Sequence, residues 1–330
     1  MRAPWIADAL TERNAAVLIV APHPDDESLA TGGLIQVALA AGARVSVLVL
    51  TDGENNSWPQ RAAERRVRIT AADRARWGAR RRDEACRALA ILGVPDTSVT
   101  YLGLPDLGLT ERLAHDPHDA IARLRVEIER LRPSIVVAPG LDDRHPDHSA
   151  AHVMVRLALA SSGSRSRIVS YVVHGSSGMG DAECVLENGM RKRKLDAVAA
   201  HASQLILSGK RMSRYANRPE RFRMETTDTS AMTGAPLRLP WRVSRLTASL
   251  TDLTVVSRDR AWVCSVHTSL SEHRDGLPDC VRRNDGSLWL HLPSALAAPA
   301  PVFARLSARI KSPWIYDRWG WTAVSTGGAP

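Results

Sequence analysis

One imidazole and three carboxylates, His23, Asp25, Asp26 and Glu27, sit together in the segment APHPDDE. A second cluster, DDRHPDHSAAH at 142–152, adds His145, Asp147, His148 and His152. Imidazole and carboxylate are the side chains that hold a catalytic divalent ion such as zinc, which takes three protein ligands and keeps a fourth position for water. Asp26 follows His23 by three residues, so one turn can present both. The second cluster offers His145, His148 and His152, the last of these one helical turn beyond His148 on the same face. A bound ion lowers the pKa of water towards 7 and polarises a carbonyl oxygen. Hydrolysis then needs a carboxylate base and an imidazole that serves as acid or oxyanion partner. Taken singly, each residue has an ordinary structural explanation. Strand-end histidines can be satisfied by backbone groups, acidic residues favour a helix start, and His152 reads as a packed helix histidine. Two Pro-punctuated His/Asp clusters in one chain point instead to metal-assisted hydrolysis.

The surrounding pattern must bring the clusters together. The apolar run at 15–21 reads as a buried strand, stopped by Pro22 and Pro24, whose ring nitrogens cannot donate to a ladder. Further strand signals at 44–51, 98–104, 134–138 and 167–173 alternate with helix signals at 33–41, 71–92, 119–131, 149–160 and 186–205. Such alternation predicts an α/β fold, a Rossmann-like, mostly parallel sheet with helices on both faces. In a 3-2-1-4-5 order, strands one and four are neighbours where the order reverses, which is where such sheets bind ligands. The clusters follow strands one and four, so they should meet at one crevice.

Beyond residue 225 the texture changes. Short β-type runs at 241–243, 253–256, 262–267 and 287–292 predict a β-rich extension, giving domains at 1–225 and 226–330. The tail spaces Val302, Leu306 and Ile310 among Arg305, Arg309 and Lys311, followed by Trp314, Tyr316, Trp319 and Trp321. We read it as a terminal amphipathic helix, with peripheral contact at the inner membrane face as its functional reading.

Only four of the 44 basic residues are lysines, and the net charge is +9. Arg forks suit carboxylate and phosphate groups, so the basic balance permits anionic substrates, nucleic acid or an anionic membrane surface without choosing among them. The four cysteines show no CxxC pairing, which argues against a disulfide framework or a Cys-based zinc site. No apolar leader or run of about 20 apolar residues is present, so a cytoplasmic protein is expected. Nothing in the sequence sets an oligomeric state.

The APHPDDE…TGG and HPDH segments resemble the PIG-L/LmbE-like zinc de-N-acetylases. Further matches follow in order: TDGE at 51–54, RRDEA at 81–85, YLGLPD at 101–106, KLDAVAAHASQ at 194–204 and ERF at 220–222. The resemblance covers about residues 14–225. It implies a Zn2+ ion held by His23, Asp26 and His148, Asp25 as general base, and His145 as oxyanion partner that also assists amine departure, oriented by Asp147. Arg81 and Asp106 become substrate contacts. The implied reaction is removal of the N-acetyl group from an amino sugar or glycoconjugate; the partner expected is that sugar substrate, with no nucleic acid. Two other classes compete. A nucleotide-using Rossmann-type transferase lacks its GxGxxG here, and the crowded carboxylates would repel a pyrophosphate. A non-catalytic, membrane-associated binding protein would not need every chemical role retained.

Overall fold

The computed structural model describes residues 4–175, 180–226, 236–258, 260–267, 278–292, 301–309, 316 and 318–324. It contains two seven-stranded sheets. The first is built from β1 (Ala16–Ala21), β2 (Arg44–Thr51), β3 (Val99–Leu104), β4 (Ile135–Pro139), β5 (Arg167–Tyr171), β6 (Ala182–Cys184) and β7 (Glu220–Met224). Its order is β3-β2-β1-β4-β5-β7-β6. The first five strands run parallel, with Val17 level with both Val45 and Ile135, and β7 and β6 extend the sheet antiparallel. The expected winding is therefore present, with two further strands that the apolar pattern does not announce.

Nine helices among the described residues accompany this sheet: α1 (Pro4–Thr11), α2 (Asp26–Ala40), α3 (Ser57–Glu64), α4 (Ala71–Leu92), α5 (Leu109–His115), α6 (Pro117–Leu131), α7 (Pro146–Ser162), α8 (Asn188–Ala200) and α9 (Ala202–Ala216). Every residue of β1 is buried. Val17, Ile19 and Ala21 face a core shared with α2 and α4, while Leu18 and Val20 face one shared with α6 and α7. Burial on both faces explains why the sequence is continuously apolar rather than alternating.

Two helix expectations need correction. The helix placed at 33–41 begins at Asp26, inside the first cluster. Gly32 and Gly33 suggest a break, but they are positions of close packing. A Cβ on Gly33 would lie 2.5 Å from Leu186 Cδ2 and 2.9 Å from Glu220 Oε2. The helix placed at 186–205 is two helices, α8 and α9, hinged at His201.

The second sheet comprises β8 (Leu237–Arg242), β9 (Thr251–Val256), β10 (Ala261–His267), β11 (Asp279–Arg282), β12 (Ser287–His291), β13 (Val302–Ala308) and β14 (Trp321–Val324), with the short helix α10 (Arg245–Ser249) between β8 and β9. Its order is β14-β13-β9-β10-β11-β12-β8. The expected amphipathic tail helix is thus β13, a strand paired with β9 and β14. The four-residue step from Val302 to Leu306 fits a period of two as well as it fits 3.6, and both side chains are buried in the second core. Ile310, Lys311 and Trp314 lie outside the described residues. The membrane reading loses the helix it rested on. Among the described residues, no helix is long and apolar enough to cross a membrane. Phe303 and Trp321 turn the other way and join the core of β1, β4 and α7.

Candidate active site

β1 delivers His23 to the sheet's C-terminal edge, where the Pro22 carbonyl accepts hydrogen bonds from Thr51 N (3.0 Å) and Thr51 Oγ1 (2.9 Å). β4 delivers the second cluster beside it, with His145 capping the N-terminus of α7. The clusters meet as the winding rule requires. Asp26 Oδ2 lies 3.2 Å from His23 Nδ1 and 3.2 Å from His148 Nε2, and the two ring nitrogens are 3.3 Å apart. A tetrahedral ion with bonds of about 2.0–2.1 Å sets its ligand atoms about 3.3–3.4 Å apart, so this near-equilateral triangle fits one face of such a site. Overlapping donor sets, His23–His145–His148, Asp26–His148–His174 and His23–Asp106–Asp147, also fall within 4.8 Å. The cluster is able to hold a metal ion.

The electrostatics favour a cation here. Burial alone would raise the Asp26 carboxyl, but His148 and His23 outweigh it and hold it well below the ordinary carboxylate range. Burial also opposes charge on His148, yet Asp143 and Asp26 raise it to about 10. The pocket stabilises positive charge where the donor atoms converge.

Carboxylates behind the triangle fix its rings. His148 Nδ1 is 3.0 Å from Asp143 Oδ2, which also accepts from Val173 N and His174 N, while Asp143 Oδ1 accepts from His145 N. His23 Nε2 is 3.2 Å from Asp106 Oδ1 and 3.5 Å from Asp147 Oδ2. Such partners set tautomer and ring orientation. Sequence reasoning gives Asp143 and His174 no role. His174 directly follows the fifth strand signal, the position that marks the other two clusters.

Asp25 borders this triangle with a backbone φ of 155°, a left-handed conformation that costs about 1–3 kcal/mol in a non-glycine residue. Its N–H donates to Glu27 Oε2 at 3.0 Å. Glu27 Oε1 in turn lies 3.3 Å from His201 Nε2. The Asp25 side chain is only 14% exposed. Burial pushes its carboxyl up to about 6, with Arg81 pulling the other way.

The family resemblance assigns Arg81 to sugar hydroxyls. It lines the cleft, but it is 3% exposed and spends its guanidinium on Gly53 O, Pro24 O and Asp25 Oδ2. It packs against Gly53, where a Cβ would lie 1.8 Å from Arg81 Nη1. Asp106 also lines the cleft, while accepting Asn55 N. Asp147 departs from its expected role. Its carboxylate accepts from Leu107 N and Leu109 N, and it is its backbone N–H, not its side chain, that donates to His145 Nδ1 at 3.2 Å. With Nδ1 accepting, the neutral ring carries its proton on Nε2. Burial, reinforced by His23, His148 and His174, holds His145 well below its ordinary pKa and hence neutral. His152 is a packed helix histidine, as its position suggests, with Nδ1 2.9 Å from Pro139 O.

Residues 18–159 match the family model of the GlcNAc-PI de-N-acetylases, PIG-L. This segment is similar to the PIG-L family domain. Over 167 residues it is 34% identical to a 1D-myo-inositol 2-acetamido-2-deoxy-alpha-D-glucopyranoside deacetylase of Mycolicibacterium vanbaalenii, covering 45% of this chain and 55% of that protein. A relative of the same description from a Mycobacterium species is 31% identical over 53% of this chain and 60% of its own length. The chain thus spans little more than half the length of these curated relatives. Among solved structures, a conserved protein of Thermus thermophilus is 27% identical, with a TM-score of 0.51 over 69% of this chain and 99% of its own. The N,N'-diacetylchitobiose deacetylase of Pyrococcus horikoshii shares the fold at 20% identity, with a TM-score of 0.53 over 67% and 86%. Both clusters lie inside the PIG-L match, whereas His174, His201 and Tyr316 lie beyond it.

Proposed function

We propose that this protein removes the N-acetyl group from an N-acetylated amino sugar or glycoconjugate. His23, Asp26 and His148 would hold a zinc ion, and the observation that carries the reading is their near-equilateral donor triangle. When bound, the ion supplies Lewis acidity towards the acetamide carbonyl and acidifies water. The remaining roles fall to side chains already in place. Asp25, raised to about 6, accepts a proton from the attacking water; a base titrating near the working pH is matched to that task. His145 donates from Nε2 to the carbonyl oxygen as negative charge develops there. Its neutrality suits a hydrogen-bond donor, so the proton that Asp25 has taken is the one returned to the departing nitrogen as the C–N bond breaks. Arg81 holds Asp25 in its strained backbone, and Asp106 and Asp147 brace His23. Asn55, Asn56 and Gln204 line the same cleft and offer hydrogen bonds to sugar hydroxyls. Residues 1–225 carry this chemistry.

The names of the matched relatives support the acetamido-sugar class. The transferase and binding-protein alternatives gain no support, since the cleft edge presents carboxylates where a nucleotide would place its phosphates. The test is elemental analysis of the purified protein together with acetate release from a panel of N-acetylated sugars. About one zinc per chain, with release abolished by chelation and by Asp25→Asn, is expected. Stoichiometric zinc with no acetate released from any acetamido sugar would overturn the reading.

A further inference from the structure

Large apolar side chains stand exposed at the mouth of the cleft. Trp58 is 66% exposed, Leu207 58%, Leu107 42% and Tyr316 40%, and all four line the cavity of about 550 Å³ that also contains His23, Asp25 and Asp26. One exposed apolar residue needs no explanation; several around a single opening mark a binding surface. The buried part of the same cavity is lined by Arg81, Asp106 and Gln204 beside Leu29, Val173 and Met212, and Asn55 and Asn56 add amide groups to its wall. Polar groups able to meet a sugar thus lie beside His23, Asp25 and Asp26, and the four exposed apolar side chains stand where a sugar's substituent would emerge.

These four residues come from distant parts of the chain. Trp58 opens α3 and Leu207 lies on α9, which pack together. Leu107 is held at a φ of 58° while its N–H donates to Asp147 at 2.6 Å. Tyr316 arrives from the second sheet. Its hydroxyl is 3.4 Å from His174 Nδ1, its ring centroid is 5.5 Å from that of His174 and 6.5 Å from that of His145, and the Arg144 guanidinium lies 5.9 Å from the ring centre. On either side of it in sequence, Phe303 and Trp321 are buried in the core of the first sheet, which ties the strand ends to the unit that carries the chemistry.

We propose that Trp58, Leu107, Leu207 and Tyr316 form a collar that binds the aglycone of the substrate through an apolar face, and that Tyr316 is a specificity residue supplied by the second sheet. The proposal rests on the deacetylase reading for the sugar. The apolar face can belong to an alkyl chain, an aryl ring or the C–H face of a second pyranose, and the arms of the experiment separate these.

Acetate release is measured on the methyl, octyl, phenyl and N-acetylglucosaminyl glycosides of N-acetylglucosamine. The proteins compared are the parent, Trp58→Ala, Tyr316→Ala and Tyr316→Phe. The ratio of kcat/KM for the preferred larger glycoside over the methyl glycoside is expected to fall about tenfold in both alanine variants, as for loss of an aromatic face. Tyr316→Phe should keep most of it. An unchanged ratio, including equal losses on every glycoside through misplacement of His174, overturns the collar. Binding of octyl glucosaminide, which has no acetyl group to lose, is measured by calorimetry on the same proteins. If binding depends on Trp58 and Tyr316 while no acetamido sugar is turned over, the collar stands and the deacetylase reading falls. If acetate is released but binding ignores both substitutions, the collar falls alone.

Discussion

Asp25 must carry charge in a place that resists charge. Its carboxyl is largely enclosed and raised to about 6, with Arg81 as the neighbouring cation. Replacing it by Asn keeps the shape and removes the proton acceptor. We expect kcat to fall about 10²- to 10⁴-fold with metal content unchanged; a variant that loses both metal and activity would make Asp25 a ligand instead. Asp143 acts one step back, between His148 and two backbone N–H groups. Asp143→Ala should weaken metal binding about 10- to 100-fold, read by competition with a chelator, and an unchanged affinity would deny it that role. At this scale the sequence is most legible, because ligand chemistry allows few residue types and both clusters announce them through spacing and flanking prolines. What it does not reveal is direction. Asp147 looks from its spacing like the partner of the His145 ring, yet its carboxylate turns to Leu107 and Leu109. Tyr316 reads as part of a membrane anchor, because its place beside His174 depends on pairings made by flanking strands.

Among the elements, α2 shows how a glycine pair can mislead. What reads as a break is where Leu186 and the buried pair of Lys194 with Glu220 press against the helix. Glu220 accepts from Gly33 N at 2.6 Å and Leu34 N at 2.9 Å, and from Lys194 Nζ at 2.6 Å. Gly33→Ala would normally favour a helix, by about 1 kcal/mol. Here the added methyl has no room, and the expected outcome is a loss of about 1–3 kcal/mol in denaturant unfolding; a gain would show that the contact relaxes freely. The parallel strands are readable because burial on both faces imposes runs such as AVLIVA. β7 and β13 are not, since a mixed or four-residue spacing satisfies helix and strand periods alike, and only pairing with β5 or β9 decides the matter.

Across the whole molecule, the two sheets do not keep separate interiors. Phe303, fully buried, and Trp321 lie in one cluster with Leu18, Val136 and Met154, and the Phe303 ring centroid is 6.4 Å from that of His152. Phe303→Ala should cost about 3–5 kcal/mol and lower the stability of both sheets in a single transition followed by circular dichroism; two separated transitions would contradict the common interior. The order of the first sheet is predictable from winding rules, whereas this sharing is not, because nothing local in a strand states which neighbour its far face will meet.

That shared interior also limits how the polypeptide can be shortened. Ending it at residue 225, where the texture of the sequence changes, would strip the outer side of α7 of its covering and leave an oily wall facing water. Such a truncate is expected to self-associate, visible by light scattering, while a monodisperse and well-folded one would mean the wall can be solvated after all.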